Sequence, residues 1–278
     1  MFPNSARTFC IALVIASLAT PPQLALAQAP SNPTSPTAGK TSITVTTQAD
    51  EWDDDTKPAS ANTKCSLREA LQAAYTGGNR GCGANKHTFT EYDIKFFASG
   101  TFKLTREEDL PHLGGDKIFN MDSWGVEIDG GSKASTARHY GIFQIVGATL
   151  NLKNLVLKNG SRPGGGAIWI RGGGSVVTAY KVKFKDNDAA ADETLAQTGG
   201  AILGETGTLT VTESVFENNV ALAEGGAVAA PASAIFIAPS SSATRGGGWG
   251  HARPRANHVS SASHRERVQT KPGPPHPV

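Results

Sequence analysis

The sequence predicts an all-β chain: a right-handed, single-stranded parallel β-helix (a solenoid) with a short N-terminal capping helix and a disordered C-terminal tail. Three observations carry this. First, Thr208-Leu209-Thr210-Val211-Thr212 alternates polar and apolar residues, the pattern of a half-buried strand. Second, the pattern recurs. Setting Phe216 over Phe184 and over Leu157 aligns Thr208–Asn219 with Val176–Asn187 and Thr149–Gly160. The inward columns are then Leu150, Val177, Leu209; Leu152, Ala179, Val211; and Leu157, Phe184, Phe216, apolar throughout. Third, a glycine pair follows each unit, at Gly165-Gly166, Gly199-Gly200 and Gly225-Gly226, as turn punctuation. A unit recurring every ~20–50 residues marks a solenoid, whose coils would stack about 4.8 Å apart.

The N-terminal segment fits this reading. Phe9–Leu18 is an apolar run behind Arg7, and Ala25-Leu26-Ala27 is a small-x-small cleavage pattern, so residues 1–27 are expected to be a signal peptide. The run is too short to span a membrane, and no later run is long and apolar enough. Export is therefore expected, with no transmembrane segment. Cys10 falls inside the signal without lipobox-like neighbours. The chain of 278 residues carries net charge +2, but the charge is uneven. Residues 231–278 hold Arg245, Arg253, Arg255, Arg265, Arg267 and Lys271 against Glu266 alone, leaving net −3 over residues 1–230. A mildly acidic folded part gives no footprint for nucleic acid.

Residues 28–41 are rich in Pro, Ser and Thr and read as a disordered lead-in. Ile43-Thr44-Val45-Thr46 reads as a first strand opening a folded region at 42–230. The acidic run Asp50, Glu51, Asp53, Asp54, Asp55 lacks spaced calcium ligands and reads as a solvated loop. Next, Ser66 and Glu69 make a capping box, while Leu67, Ala70, Leu71 and Ala74 form one apolar stripe. Gly77-Gly78 is the expected stop. A short helix with one apolar face must cover something, and the first coil of a β-helix leaves an exposed core and unpaired strand edges. The helix is expected to plug that end. Cys65 and Cys82 are the cysteines remaining after signal removal. In an exported protein they are expected to pair, contributing roughly 3 kcal/mol through loop entropy. A thiol or metal pair is the alternative, but no Cys-x-x-Cys or clustered His accompanies it.

Cys65-Ser66-Leu67-Arg68-Glu69-Ala70-Leu71 with a downstream cysteine resembles the N-terminal signature of the CSLREA-domain family of bacterial surface proteins. The Gly-Gly-Ala-Ile element and the Phe-x-x-Asn elements Phe184–Asn187 and Phe216–Asn219 resemble repeats of chlamydial polymorphic outer membrane proteins, β-helical passengers of autotransporters. The likeness runs from about Ile43 to Ala230, and Asp93–Phe96, Phe102–Leu104 and Val126–Gly131 fit the first coils of such proteins. The resemblance implies a secreted or bacterial cell-surface location, associated with the outer membrane, and the β-helical fold. It says less about activity.

The sequence offers little chemistry. The outward residues of the aligned strands are Thr149, Asn151, Lys153; Val176, Thr178, Tyr180; and Thr208, Thr210, Thr212, a face without carboxylates. Glycoside hydrolysis usually needs two carboxylates, and a lyase needs a base and a means of neutralising a uronate. Lys158, Lys185, Glu217 and then Asn159, Asp186, Asn218 form columns near the turns; Asn and Asp there are expected to bond repeated backbone turns, as are Asn187 and Asn219. Asp186, Asp188, Asp192 and Glu193 border the longest inter-coil loop, where a catalytic or calcium role is the minor reading. The glycine runs Gly164–Gly166 and Gly172–Gly174 lack phosphate-loop spacing. His87, His112 and His139 have unrelated spacings. No catalytic residue, metal site or cofactor is assigned. At Pro231 the composition turns to Ser, Pro, Gly, Arg and His, with neither a capping repeat nor a C-terminal barrel, so residues 231–278 read as a disordered tail on an apparently truncated surface protein. The last coil would then stay open, a template for self-association. The expected role is structural or adhesive, toward host or matrix glycans or proteins. The rival is a polysaccharide-active enzyme, a lyase or glycoside hydrolase on a pectate-lyase-like β-helix.

Overall fold

The computed structural model describes residues 37–52, 63–76, 81–83, 88–106, 108–131, 140–189, 198–223, 225–230, 233–242 and 250–251. The signal segment, Asp53–Asp55, the Gly77-Gly78 stop, His87, His139, Asp192, Glu193 and all six basic residues of the tail lie outside them. The chain opens with β1 (Thr37–Val45) and α1 (Leu67–Tyr75), followed by β2 (Phe89–Phe96), β3 (Gly100–Lys103), β4 (Leu113–Gly114), β5 (Ile118–Asp129) and β6 (Phe143–Val146). The repeat proper is β7 (Thr149–Lys158) and β8 (Ile168–Arg171), then β9 (Val176–Tyr180), β10 (Lys183–Lys185) and β11 (Ile202–Gly204), then β12 (Thr208–Thr212), β13 (Val215–Glu217) and β14 (Val228–Ala230). Three more strands follow: β15 (Ser233–Ile237), β16 (Ser240–Ser242) and β17 (Gly250–His251).

The strands form a parallel β-solenoid. An eleven-stranded sheet runs from β1 to β15 and β16, and a six-stranded sheet from β4 to β17. The larger sheet bends within each coil, so the solenoid has three faces. At that bend Asn154, Lys181, Glu213 and Ala238 take left-handed φ of 58°, 53°, 47° and 46°. A second bend carries Asn159, Asp186 and Asn218 at 54°, 55° and 54°. Asn and Asp tolerate this region better than other side-chain-bearing residues, which explains the predicted turn column. In β5 the first bend instead takes three residues, Ser123–Gly125 between Asp122 and Val126, where β7 has Asn154 alone.

The three inward columns lie in register as expected. Val177 pairs with Leu150 and Leu209, Ala179 with Leu152 and Val211, and Phe184 with Leu157 and Phe216. All are buried. The Phe184 and Phe216 rings stack with centroids 4.7 Å apart, worth ~0.5–1.5 kcal/mol beyond their burial. The columns extend upstream to Phe119, Met121 and Ile128. The third face adds another column, Phe143, Ile168, Ile202 and Val228.

The glycine pairs have two separate causes. Gly165, Gly199 and Gly225 adopt φ of 66°, 69° and 65°, which disfavours any Cβ. Their successors stack too closely for a side chain: a Cβ on Gly166 would lie 2.6 Å from the Gly200 carbonyl oxygen, and one on Gly200 would lie 2.1 Å from that of Gly226.

Two boundaries are corrected. The lead-in was drawn to residue 41, but β1 begins at Thr37 and pairs with β2 from Thr37↔Phe89 through Val45↔Phe96. The tail was drawn from Pro231, but β15 pairs along all of β12, β16 pairs with β13, and β17 with β14. Ala234 and Phe236 pack inward on Leu209 and Val211. Parallel ladder bonds run between backbones, so Ser240–Ser242 can extend the sheet without an apolar signature. The coil begun at Gly225 is therefore continued by β15, β16 and β17.

Candidate functional site

The cap is built from the predicted residues and from others that hydrophobic patterning passed over. Ser66 is the N-cap of α1: its Oγ accepts from Glu69 N at 3.2 Å, and Glu69 Oε2 accepts from Ser66 N at 2.9 Å. Leu67 and Leu71 are buried. The helix contacts β1, β2 and β4, and β1 and β4 are the N-terminal edge strands of the two sheets. Cys65 is disulfide-bonded to Cys82, with Cα atoms 4.9 Å apart. The expectation of one apolar stripe was too narrow, because Arg68 and Glu69 are buried as well. Arg68 Nε and Nη2 donate to Asp50 at 2.8 and 3.1 Å, and Nη1 donates to the Asp109 carbonyl at 2.5 Å. Asp50 also accepts from the backbone N–H groups of Thr105 and Arg106 at 2.9 Å each. Asp50 therefore belongs to a buried anchor and not to a solvated loop. At the far end of the helix Lys117 Nζ donates to the carbonyls of Ala74 and Tyr75 at 2.6 and 3.3 Å.

Asn187 and Asn219 form a buried ladder beside the glycine turns. Asn187 Nδ2 donates to Leu157 O at 3.1 Å and to Asn219 Oδ1 at 3.0 Å, and Asn219 Nδ2 donates to Phe184 O at 3.0 Å. Asn187 Oδ1 accepts from Gly160 N at 3.0 Å. These side chains satisfy backbone groups where the strands end. They are structural and do not reach solvent. Asp186 lies at the second bend, while Asp188 bridges Ser161 and Val220; among the described residues no group of three His, Cys, Asp or Glu is placed to hold a metal. His112 Nε2 lies 2.9 Å from Tyr75 Oη.

The candidate site is the outer surface of the first face. The outward alternation of β7, β9 and β12 is as expected, each reading half-exposed, buried, half-exposed at its start. The rows also continue upstream. The middle row runs Ser42, Asp93, Asn120, Asn151, Thr178, Thr210, Ile235. This corrects the expectation of a face free of carboxylates, because β2 and β5 contribute Glu91, Asp93 and Asp122. The polar groups are ordered by hydrogen bonds. Asn151 Nδ2 donates to Asn120 Oδ1 at 2.9 Å, and Asn120 Nδ2 donates to Glu91 Oε1 and Asp93 Oδ1 at 2.9 and 3.1 Å. Lys40 Nζ pairs with both carboxylates at 3.0 and 2.9 Å, and Asp93 first, then Glu91, raises its pKa. Asp122 accepts from Lys153 Nζ at 2.8 Å and Asn154 Nδ2 at 2.7 Å. Partial burial pushes its carboxyl up, but these bonds outweigh that and hold it below the usual range.

A ridge of aromatics borders this face. The loops Phe97–Ser99 and Ser123–Gly125 occupy the first bend of neighbouring coils, where a Cβ on Gly125 would lie 3.1 Å from Ser99 Cβ. Phe97 is 54% exposed and Trp124 is 72% exposed. Both were missed by the sequence reading, and the available signal was the two extra residues that the first bend of β5 holds relative to β7, which lift Trp124 off the sheet. The second face, by contrast, is a charge lattice. Glu127 pairs with Lys158 and Glu217 with Lys183, and in each case that partner leads the lowering of the carboxyl pKa. A depression lined by Gln48, Asp50, Leu67, Phe102 and Leu104 has about 10 Å³, room for one water. No helix among the described residues is long and apolar enough to cross a membrane. No family model, curated protein or solved structure matches the chain.

Proposed function

We propose that this chain is a secreted or cell-surface module whose first face holds an extended polymer, a glycan or protein of a host or matrix, without turning it over. The observation that carries this is the flat array of ordered amide, hydroxyl and carboxylate groups bordered by exposed Trp124 and Phe97. Rigid rows on a parallel sheet repeat about every 4.8 Å and meet a polymer with little ordering cost. Aromatic rings at the margin supply apolar area that sugar rings or side chains can cover. The resemblance of the cap to CSLREA-domain proteins, and of the repeats to polymorphic outer membrane proteins, agrees with such a role. The test is a glycan and matrix-protein array probed with mature chain, alongside a turnover screen. Binding lost in Trp124→Ala with no product formed supports the reading.

A second reading, a polysaccharide lyase or glycosidase, is favoured by the three carboxylates Glu91, Asp93 and Asp122 on that same face. Asp122, which burial alone would push up, is held below its usual range by Lys153 and Asn154, so it is ionised and not a proton donor. Release of reducing ends, or of an unsaturated product absorbing in the ultraviolet, would establish this reading and displace the first.

A further inference from the structure

The third face carries a different cluster. In β8 the alternation of Ile168-Trp169-Ile170-Arg171 turns Ile168 and Ile170 inward, leaving Trp169 and Arg171 on the outside. Arg171 places its guanidinium carbon 4.1 Å from the Trp169 ring centroid. Arg162, from the turn before β8, lies 5.1 Å from the same centroid. Two cations thus share one indole. Glu205 holds the ring in place, accepting from Trp169 Nε1 at 3.0 Å and lying 3.6 Å from Arg171 Nε.

Arg162 is the unusual member. Its side chain is 8% exposed and ion-paired through Nη2 to Asp109. Asp109 is held in turn by Gly141 N at 3.0 Å. The guanidinium lies against the bare backbone of Gly141, where a Cβ would come within 3.3 Å of its central carbon. Burial, and after it the charge of Arg171, brings the Arg162 pKa down to about 10, so it stays cationic at neutral pH. Among the described residues its Nη1 has no hydrogen-bond partner although it is buried, and the same holds for the Tyr140 hydroxyl. The two belong to touching segments, since Tyr140 O accepts from Ser161 N at 2.8 Å. A buried donor without a partner costs free energy, which an acceptor recovers once a small outward shift of the Arg162 side chain uncovers Nη1.

We propose that this cluster is a second binding site, distinct from the first face, and that it takes a uronic-acid sugar with its carboxylate on Arg162 and Arg171. A carboxylate matches the planar fork of a guanidinium and can accept from two nitrogens at once. Asp109 and Glu205 pair with the two arginines, so the uronate is held by the fit of its carboxylate to a guanidinium and not by excess positive charge. The same carboxylates, with Gln144 in register beside Trp169, can accept from sugar hydroxyls.

The test is calorimetric titration of the full mature chain with a trigalacturonate oligomer, with a neutral galactose trimer as control. The parent should bind the uronate saturably and the neutral trimer at least tenfold more weakly. Arg171→Gln, at an exposed side chain that leaves the core intact, should weaken uronate binding about tenfold. Arg162→Gln should weaken it further, and the pair Arg162→Gln with Asp109→Asn removes both charges together where the single variant fails to fold. Equal affinity for the neutral trimer, unchanged binding by Arg171→Gln, or no uronate binding by the parent overturns the proposal. Tighter binding of a sulfated heparin-derived oligomer overturns the choice of a carboxylate. Trp124→Ala should leave uronate binding unchanged. If it abolishes uronate binding while Arg171→Gln does not, the ligand belongs to the first face, so this proposal fails and the earlier one stands.

Discussion

The two ends of the solenoid solve the same problem with different materials. Each terminal coil exposes a core layer and a ladder of unpaired backbone groups. At the N-terminal end α1 covers them, fixed on several sides by the Cys65–Cys82 disulfide, the Arg68–Asp50 ion pair and the Lys117 bonds to the last helical carbonyls. At the other end the described strands simply continue. β15 packs Ala234 and Phe236 inward while Ile235 and Ile237, 52% and 48% exposed, face out. In the next strand Ser241 stands in register with Phe216. Stability in a solenoid is close to a sum over coils and their interfaces. The N-terminal end should therefore unfold last and the C-terminal strands first.

The largest effect is expected at Arg68. Arg68→Met leaves Asp50 buried without its cation, and breaking such a pair costs ~3–5 kcal/mol. Urea melts of mutant and parent should differ by that amount, and coincident melts would show that the cap is not anchored through Asp50. Next comes the ladder between the ends. Asn187→Ala removes the acceptor for Gly160 N and the donor to Leu157 O, at about 3 kcal/mol, since each orphaned buried group costs ~1–3 kcal/mol. A loss below about 1 kcal/mol would mean that water replaces the amide.

The inward columns were legible because apolar residues recur at a fixed offset, and burial on one face of a strand demands that recurrence. The anchors were not legible. Patterning sends polar residues to solvent, and Asp50, Arg68 and Lys117 become buried partners only when segments 18 to 43 residues apart are folded together. The glycine pairs and turn asparagines could be read as punctuation, but the separate reasons for the first and second glycine needed the stacked backbones. The outer site was half legible: its threonine rows follow from alternation, whereas Glu91, Asp93 and Asp122 belong to earlier coils whose spacing departs from the repeat, with the bend of β5 holding three residues where β7 has one.

The third prediction uses pH at the cap. Burial pushes the Tyr92 phenol up to about 12 from an ordinary 10.0. Above pH 10 the unfolded chain releases this proton while the folded chain keeps it, so stability present below pH 10 is lost as pH rises toward 12. Burial moves Lys117, whose Nζ donates to Tyr92 Oη at 3.2 Å, the opposite way, below 10.5. Its cost is full below its folded pKa and is relieved as pH rises toward 10.5. The stability profile should rise slightly and then fall, by about 1 kcal/mol at pH 11 from the Tyr92 shift. Tyr92→Phe should remove the fall and leave the rise. A fall that persists in Tyr92→Phe would assign the alkaline loss elsewhere.

The smallest effect on global stability, and the most diagnostic one, is expected at Phe236. A buried phenylalanine truncated to alanine typically costs ~3–5 kcal/mol. Phe236 is only partly buried and sits in the last described layer of the first face. If that layer frays before the rest unfolds, the main transition no longer reports on it. Phe236→Ala should then move the global urea midpoint by less than about 0.5 kcal/mol while abolishing amide-exchange protection in β15 and lowering it in β12. Deleting residues 231–278 extends the same logic. It removes the strands that pair with β12 and β13, leaving Leu209, Val211 and Phe216 under no further layer, so light scattering should rise with concentration while circular dichroism keeps most of its β signal. A Phe236→Ala loss above about 2 kcal/mol in the global melt would show that the C-terminal strands unfold together with the cap, and the gradient between the two ends would have to be abandoned.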